Sequence, residues 1–552
     1  MAAARAVSMV TGRRAGTTGR CPARTGRHQE GRRCRSLSPP PCSWRALADP
    51  DRTAAIEPDG TPHTAGALLA RVNQLTHGLR ARGLRTGDGV AVLAPNGIAP
   101  LEIYLAAVQA GWYVTPINWH FTAPEIAYIV RDSEAKAFFV HERFGPAGAA
   151  AADEAGVPPG GRISYGDVPG FCPVQIIREG QPSDLPAGRT AGAAMHYTAG
   201  TTGRPKGVRR PLSGLDPDEA AERGSALLQL FGITAGPPNV HLVTSPHYHT
   251  AVTVFGCGAA QMGHCLVYMD AWDAGQVLAL VERYRVTSTH MVPTQFKRLL
   301  ALPDEVRRRH DLSSMRWLLH AAAPCPVGIK RAMLDWWGPR VYEYYAATEG
   351  GGTMATPQDW LARPGTVGRP WPASEVMIAD DDGNACPPGV AGAVYLRMTI
   401  PDFVYKDDPV KTEASRLRGY FTVGDIGYLD ADGFLFLCDR KSDVIISGGA
   451  NIYPAEIEAA IIMHPKVADV AVFGVPDDDW GESVKAVVEP AAGAQPGPEL
   501  AADILASLEG RLSRMKWPRS VGFIAAMPRD PSGKLLKRRL REPYWEGTGG
   551  SI

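Results

Sequence analysis

The stretch YTAGTTGRPKGV, Tyr197–Val208, sets three threonines and two glycines ahead of Arg204, Pro205 and Lys206. A backbone this free of bulk can curl and point N–H groups inward, while Thr198, Thr201 and Thr202 add hydroxyl donors around Gly200 and Gly203. Lys206 follows as a single ammonium on a flexible stem, suited to an anion held in such a curl. The combination fits a polyphosphate. Glycine and threonine also favour a solvated surface loop, and the stretch alone does not choose between the two.

The chain around it has 552 residues, too many for one ordinary core, so at least two domains are expected. A formal net charge of +1 gives no electrostatic case for nucleic acid as a partner. The nine cysteines form no C-x-x-C pair, which speaks against a zinc site or a disulfide framework and fits a reducing cytoplasm. No apolar run reaches the ~18–20 residues of a membrane span. Residues 1–45 are rich in Arg, Gly, Ser and Pro and poor in aliphatics, which predicts a disordered arm with neither a transit stripe nor a signal core.

From Trp44 onward the pattern becomes regular. AGALLARVNQLTHGLRARG places Leu68, Val72, Leu75 and Leu79 on one helical face, closed by Gly83. DGVAVLAP, IAPLEIYLAAVQAG and YVTPIN continue as strand, helix and strand, and EIAYIVRDSEAKAFFVH and AGQVLALVERYRVTSTHMVPT repeat the alternation. Such alternation implies parallel sheets covered by helices. GAVYLRM and GYFTVGDIGYLDADGFLFLCDR change to short strands joined by turns such as Ala431-Asp432-Gly433, a smaller antiparallel region. PAEIEAAIIMHPKVADVAVFGVPD and ESVKAVVEP then read as a compact terminal α/β unit.

Other pieces suit the same ligand. Thr348 and Glu349 follow the aromatic run of YEYYAATEGG, so a hydroxyl for phosphate and a carboxylate for Mg²⁺ adjoin faces that could stack on a base. Asp425 is a natural acceptor for ribose hydroxyls, and Arg440 lies on the same hairpin. PRDPSGKLLKR presents Lys534 on a Pro/Ser/Gly turn. Each piece alone has a plain reading as a surface or turn residue.

In this order, from about Leu47 to Glu542, the four segments YTAGTTGRPKGV, YEYYAATEGG, YFTVGDIGYLDADGFLFLCDRKSDVIISGGANIYPAEIE and PRDPSGKLLKRRL resemble the adenylate-forming superfamily, in its acyl-CoA synthetase and acid–CoA ligase branch. The resemblance implies an α/β fold. A large N-terminal domain of parallel-type sheets with a small β-barrel-like subdomain (46–440) would join a small mobile α+β domain (444–545) through a hinge at 441–443. It implies ATP, Mg²⁺ and CoA as cofactors, an organic acid as substrate, and a two-step reaction: adenylation of the acid, then displacement of AMP by a thiol. On this likeness Thr198, Thr201, Thr202, Gly203 and Lys206 cradle the phosphates. Thr348 touches the α-phosphate and Glu349 holds Mg²⁺. Ala322 and Ala323 of HAAAPCP form the adenine wall, with Tyr344 stacking opposite and Tyr345 beside the acyl pocket. Asp425 and Arg440 bind ribose, and Lys534 bridges the reacting anions.

Two positions depart from the family pattern. Ser442 stands at the hinge, where Asp or Lys is usual, and Ala346 replaces the glycine of Tyr-Gly-x-Thr-Glu. Gly448 and Gly449 of SGGANIYP would leave room for a pantetheine arm. The acid pocket is expected to be lined by Tyr248, His249, Phe255 and His320, with Val254 and Val292 nearby and His247 as a surface or capping residue. The resemblance leaves fatty, aromatic and fused-ring acids open. As alternatives to CoA it leaves a carrier-protein pantetheine, nitrite activation with an arylamine acceptor, and a non-catalytic nucleotide-binding protein.

Overall fold

Short β-branched strands alternate with apolar helices, and the result is two parallel sheets packed side by side with their helices. The computed structural model describes residues 46–198, 205–398, 403–529 and 535–546. The N-terminal arm, Thr201, Thr202, Gly203 and Lys534 lie outside the described residues.

In the first sheet Gly89–Leu93, Tyr113–Pro116, Ala135–His141 and Arg162–Tyr165 run parallel. The helix Ala65–Ala81 covers it with Leu68, Val72, Leu75 and Leu79 buried, and Thr64 caps its N-terminus by accepting from the Ala67 N–H at 3.2 Å. Its C-cap is Arg82, one residue before Gly83. In the second sheet Cys265–Tyr268, Val240–Val243, Ser288–Met291, Trp317–His320 and Val341–Ala347 are parallel neighbours, and Gly350–Ala355 turns back antiparallel beside the last.

Strand alternation divides the second sheet into two faces. Leu319 and Tyr344 pack into the core shared with the first sheet, along with Phe255 and Phe231. Leu318, Met291 and Val341 pack into a separate core on the other face, with Phe296 and Trp337. The register sets His290 opposite Val243 and Leu319, and His320 opposite Met291 and Glu343. The two histidines therefore fall on opposite faces.

The expected antiparallel region forms from Ser374–Ala379, Gly392–Met398, Asp425–Leu429 and Leu435–Arg440. Beside it His196–Thr198 pairs with Lys206–Arg209, and Val404–Tyr405 lies on the outer edge of that hairpin. A small terminal sheet of Ile445–Ser447, Ala450–Ile452, Val467–Asp477, Gly481–Pro490 and Ser520–Phe523 packs against the helices Pro454–Ile461 and Pro498–Ala506.

Polar contacts join this small domain to what precedes it, among them the Ala455 N–H, which donates to Asp439 Oδ2 at 2.8 Å. Lys297, on the helix Pro293–Leu300, donates to the carbonyl oxygens of Val467 at 3.1 Å and of Ala468. Burial pushes the Lys297 ammonium down to about 8. Arg541 donates to the Ser442 carbonyl at 3.2 Å. Among the described residues no helix is long and apolar enough to cross a membrane.

Candidate active site

The carboxyl ends of the second sheet's parallel strands open toward the antiparallel region, the crevice where open α/β sheets bind their ligands. The hairpin of the opening stretch sits there with Thr198 directly across from Lys206. Its base is tied down: Tyr197 donates to Asp132 at 2.6 Å and Tyr128 donates to the Pro205 carbonyl at 3.1 Å. The two strands that flank residues 199–204 are thus held in place. Lys206 makes an ion pair with the Asp408 carboxylate.

Thr348 and Glu349 follow the strand Val341–Ala347 and face the same hairpin. Thr348 Oγ1 lies 3.2 Å from Thr250 Oγ1, and its carbonyl accepts from Arg210 Nη2 at 2.7 Å. Glu349 is 8% exposed, and its Oε1 accepts from the Tyr405 hydroxyl at 2.6 Å. Lys411 Nζ stands 4.6 Å above the Tyr405 ring. Burial and the neighbouring Lys206 lower its pKa, and the Glu349 carboxylate opposes them. The ammonium groups of Lys206 and Lys411 and the carboxylates of Glu349 and Asp408 converge here, which suits a polyphosphate with a divalent ion once Lys206 leaves Asp408 for the phosphate.

Glu349 fits a hard cation, since an oxygen beyond the one bound to Tyr405 remains on its carboxylate. No group of three or more His, Cys, Asp or Glu among the described residues could hold a metal by itself. A Mg²⁺ ion at Glu349 would therefore take its other ligands from phosphate oxygens and water.

Asp425 and Arg440 face one another across the antiparallel pair, with Arg440 Nε 3.6 Å from Asp425 Oδ1. The Tyr345 hydroxyl donates to Asp425 Oδ2 at 2.7 Å. Ala322 and Ala323 are exposed at the end of the strand Trp317–His320, and Ala322 adopts φ +72°, a left-handed bend that turns the chain sharply.

Three expectations need correction. Tyr344 does not share the Asp425 side with Tyr345, because successive strand residues point to opposite faces. It packs against Phe231 and Phe255, and its hydroxyl lies 2.9 Å from His290 Nε2. His320 does not line the crevice with Phe255. It is fully buried on the other face, edge-on to Phe296 and 3.5 Å from Glu343, which pairs with Lys330 at 2.7 Å. His247 is neither a surface nor a capping residue but is 4% exposed beside Tyr268, and burial drives its pKa down to about 4.

Tyr248 and His249 stand together at the start of the helix Thr250–Gln261, and Trp119 packs edge-on to Tyr248 at 4.8 Å. Phe255 lies further along that helix, buried and stacked on His290 at 5.6 Å. Gly448 and Gly449 sit in the small domain at φ +57° and +79°, in the left-handed region, and the space a Cβ would take at Gly449 is open. Sequence reading missed Lys411, Arg210, Tyr405 and Thr250. Only the strand pairing and the helix start bring these to the site, and no local spacing announces them.

Comparison with known proteins places the chain in a family. Residues 42–400 match the AMP-binding enzyme model and residues 456–534 match the AMP-binding enzyme C-terminal domain. A feruloyl-CoA synthase of an Amycolatopsis species is 35% identical, over 91% of this chain and 98% of that protein. The fatty acid–[acyl-carrier-protein] ligase ScoC of Streptomyces coeruleorubidus is 31% identical, over 92% and 97%. The ATP-bound structure of MatB from Rhodopseudomonas palustris superposes with a TM-score of 0.77 at 30% identity, covering 92% and 99%. The chain belongs to the AMP-binding enzymes, the adenylate-forming superfamily, in the branch that holds the acid–CoA ligases.

Proposed function

We propose that the protein activates an organic acid with ATP and transfers the acyl group to the thiol of CoA. A carboxylate oxygen of the acid attacks the α-phosphorus and pyrophosphate leaves. The thiol sulfur then attacks the acyl carbon and AMP leaves. The observation that carries this reading is the convergence of Lys206, Lys411, Thr348 and Glu349 at the carboxyl ends of the parallel strands, with Asp425 on the facing hairpin.

Two anions must meet in the first step, so neutralising their charge is the main lever available to the protein. Lys206 and the turn with Thr198, Thr201, Thr202 and Gly203 take the terminal phosphates, and Arg210 fixes the Thr348 backbone beside the α-phosphate. Mg²⁺ at Glu349 supplies further charge neutralisation when bound, and Tyr405 orients that carboxylate. Asp425 accepts the ribose hydroxyls with Arg440 alongside, and Tyr345 and the exposed Ala322–Ala323 bend flank the adenine. Tyr344 belongs with the acid pocket, not with the adenine. Lys534 bridges the reacting carboxylate and phosphate. Residues 441–443, with Ser442 at their centre, are the hinge about which the small domain turns to bring Gly448 and Gly449 over the crevice.

A carrier-protein acceptor is the second reading, favoured by the ligase ScoC among the relatives, which is named for an acyl-carrier-protein acceptor. The test is pyrophosphate release over a panel of carboxylic acids, followed by product analysis with CoA, with a pantetheinylated carrier protein, and with nitrite plus an arylamine. Acid-dependent pyrophosphate release with acyl-CoA as product supports the leading reading. Release with nitrite alone, or a thioester formed only on the carrier protein, overturns it.

A further inference from the structure

The ammonium of Lys206, assigned above to the terminal phosphates, already has a partner within the chain. It pairs with the Asp408 carboxylate, and the two side chains are largely shielded from water, at 19% and 25% exposure. Asp408 lies 202 residues further along the chain, yet its place is fixed. Its Oδ1 accepts from the Lys411 N–H at 2.9 Å, which leaves Oδ2 to Lys206. Its backbone N–H donates to the Tyr405 carbonyl at 3.1 Å, and its carbonyl accepts from the Thr412 hydroxyl at 2.8 Å. The Thr412 oxygen in turn accepts from the Tyr405 N–H at 3.0 Å. The same segment sends the Tyr405 hydroxyl to Glu349. Asp408 is thus a held acceptor, and Lys206, on its four-carbon stem, is the partner free to swing.

Charge decides what this pairing does. Lys206 and Lys411 face Glu349 and Asp408, so the protein's own charges balance at this end of the crevice. The neighbouring Lys406 is bound by Asp407 at 2.6 Å and lies 3.7 Å from Glu134. A terminal phosphate that takes Lys206 leaves the Asp408 carboxylate without its counter-ion and beside another anion. The internal pair therefore opposes ATP and pyrophosphate alike. The apparent affinity of each is its intrinsic affinity scaled by the fraction of enzyme in which Lys206 is released. AMP lacks the terminal phosphates and escapes this competition.

We infer that Asp408 is a positioning residue that acts through Lys206: it competes with the terminal phosphates of ATP for that ammonium and takes it back as pyrophosphate departs. It weakens the hold on ATP and, by the same amount, favours release of the product. The inference rests on the reading of Lys206 as a phosphate ligand and adds how strongly that ligand holds. The exchange moves an ion pair and breaks no covalent bond.

The test is isothermal titration calorimetry of the full-length enzyme with ATP, with inorganic pyrophosphate and with AMP, each in the presence of Mg²⁺. Asp408→Asn removes the charge, and the amide oxygen still accepts from the Lys411 N–H. ATP and pyrophosphate should bind this variant about three- to tenfold more tightly, between what an exposed ion pair and a shielded one are worth. The affinity for AMP should stay within about twofold of wild type. In a Lys206→Met background the same substitution should change ATP affinity by less than about twofold, because the group it acts through is gone. Asp408→Ser, which also caps a helix start, repeats the measurement if the asparagine variant melts lower than wild type. Unchanged or weaker binding of ATP and pyrophosphate overturns the inference, as does an equal gain for AMP or the same gain in the Lys206→Met background. A wild-type enzyme that binds neither ATP nor AMP overturns the nucleotide-binding reading itself and this inference with it.

Discussion

Asp425→Asn removes a charge and keeps the shape of the side chain, so its effect reads the carboxylate alone. One carboxylate oxygen already accepts from Tyr345 at 2.7 Å, and Arg440 stands 3.6 Å from the other. A ribose hydroxyl bonded to this group makes a charge-assisted bond worth about 1.5–3 kcal/mol. Loss of that bond in the ATP complex corresponds to roughly a 10- to 150-fold rise in the KM for ATP, at 1.4 kcal/mol per factor of ten. The KM for the acid should not change. Tyr345→Phe frees Oδ2 without removing charge, so its effect on the KM for ATP should stay below about 1 kcal/mol, or fivefold. The assay is pyrophosphate exchange with ATP and acid varied separately. An Asp425→Asn enzyme whose KM rises for the acid instead of ATP, or for neither, would refute the ribose assignment.

Three further outcomes are expected. Lys534→Ala should slow adenylation by on the order of 10²–10⁴ while thioester formation from pre-formed acyl-adenylate survives, and equal loss in both half-reactions would remove its bridging role. Gly449→Leu places a branched side chain at φ +79° in otherwise open space, so pyrophosphate exchange should persist while thioester formation stops; a matched fall in exchange would mean that the glycine serves the fold. Glu343→Ala strips the partner from Lys330, which is fully buried, and should cost roughly 3–5 kcal/mol in thermal unfolding; Glu343→Ala combined with Lys330→Met should recover most of it, and a single variant that melts like wild type would show the pair to be dispensable.

Much of this architecture was legible in the sequence because it depends on local periodicity. The helix Ala65–Ala81 follows the spacing of Leu68, Val72, Leu75 and Leu79, and the hairpin of Asp425–Leu429 with Leu435–Arg440 follows from the Asp-Gly turn between alternating strands. Facing was harder. Tyr344 and Tyr345 are adjacent aromatics, and nothing local says which one meets Asp425; the register of Val341–Ala347 against its neighbours decides it. The same holds for His290 and His320, each at the end of a parallel strand and separated only by one step of alternation. Lys411 and Tyr405 escaped notice because they reach Lys206 and Glu349 through a strand pairing of about 200 residues' separation, which no motif encodes.

The contact of Lys297 with the small domain has a consequence for which pose is occupied. Any re-orientation of that domain about Ser442 that parts it from the helix Pro293–Leu300 has to release the Val467 and Ala468 carbonyls from one ammonium. Bonds of this kind are worth about 1–3 kcal/mol, which weights one pose over the other by roughly 5- to 150-fold. On the proposed rotation Lys297 is one latch on this pose, beside the Asp439 carboxylate, which accepts from the Ala455 N–H at 2.8 Å. Weakening the latch would exchange occupancy of this pose for occupancy of its alternative without touching any group that handles ATP.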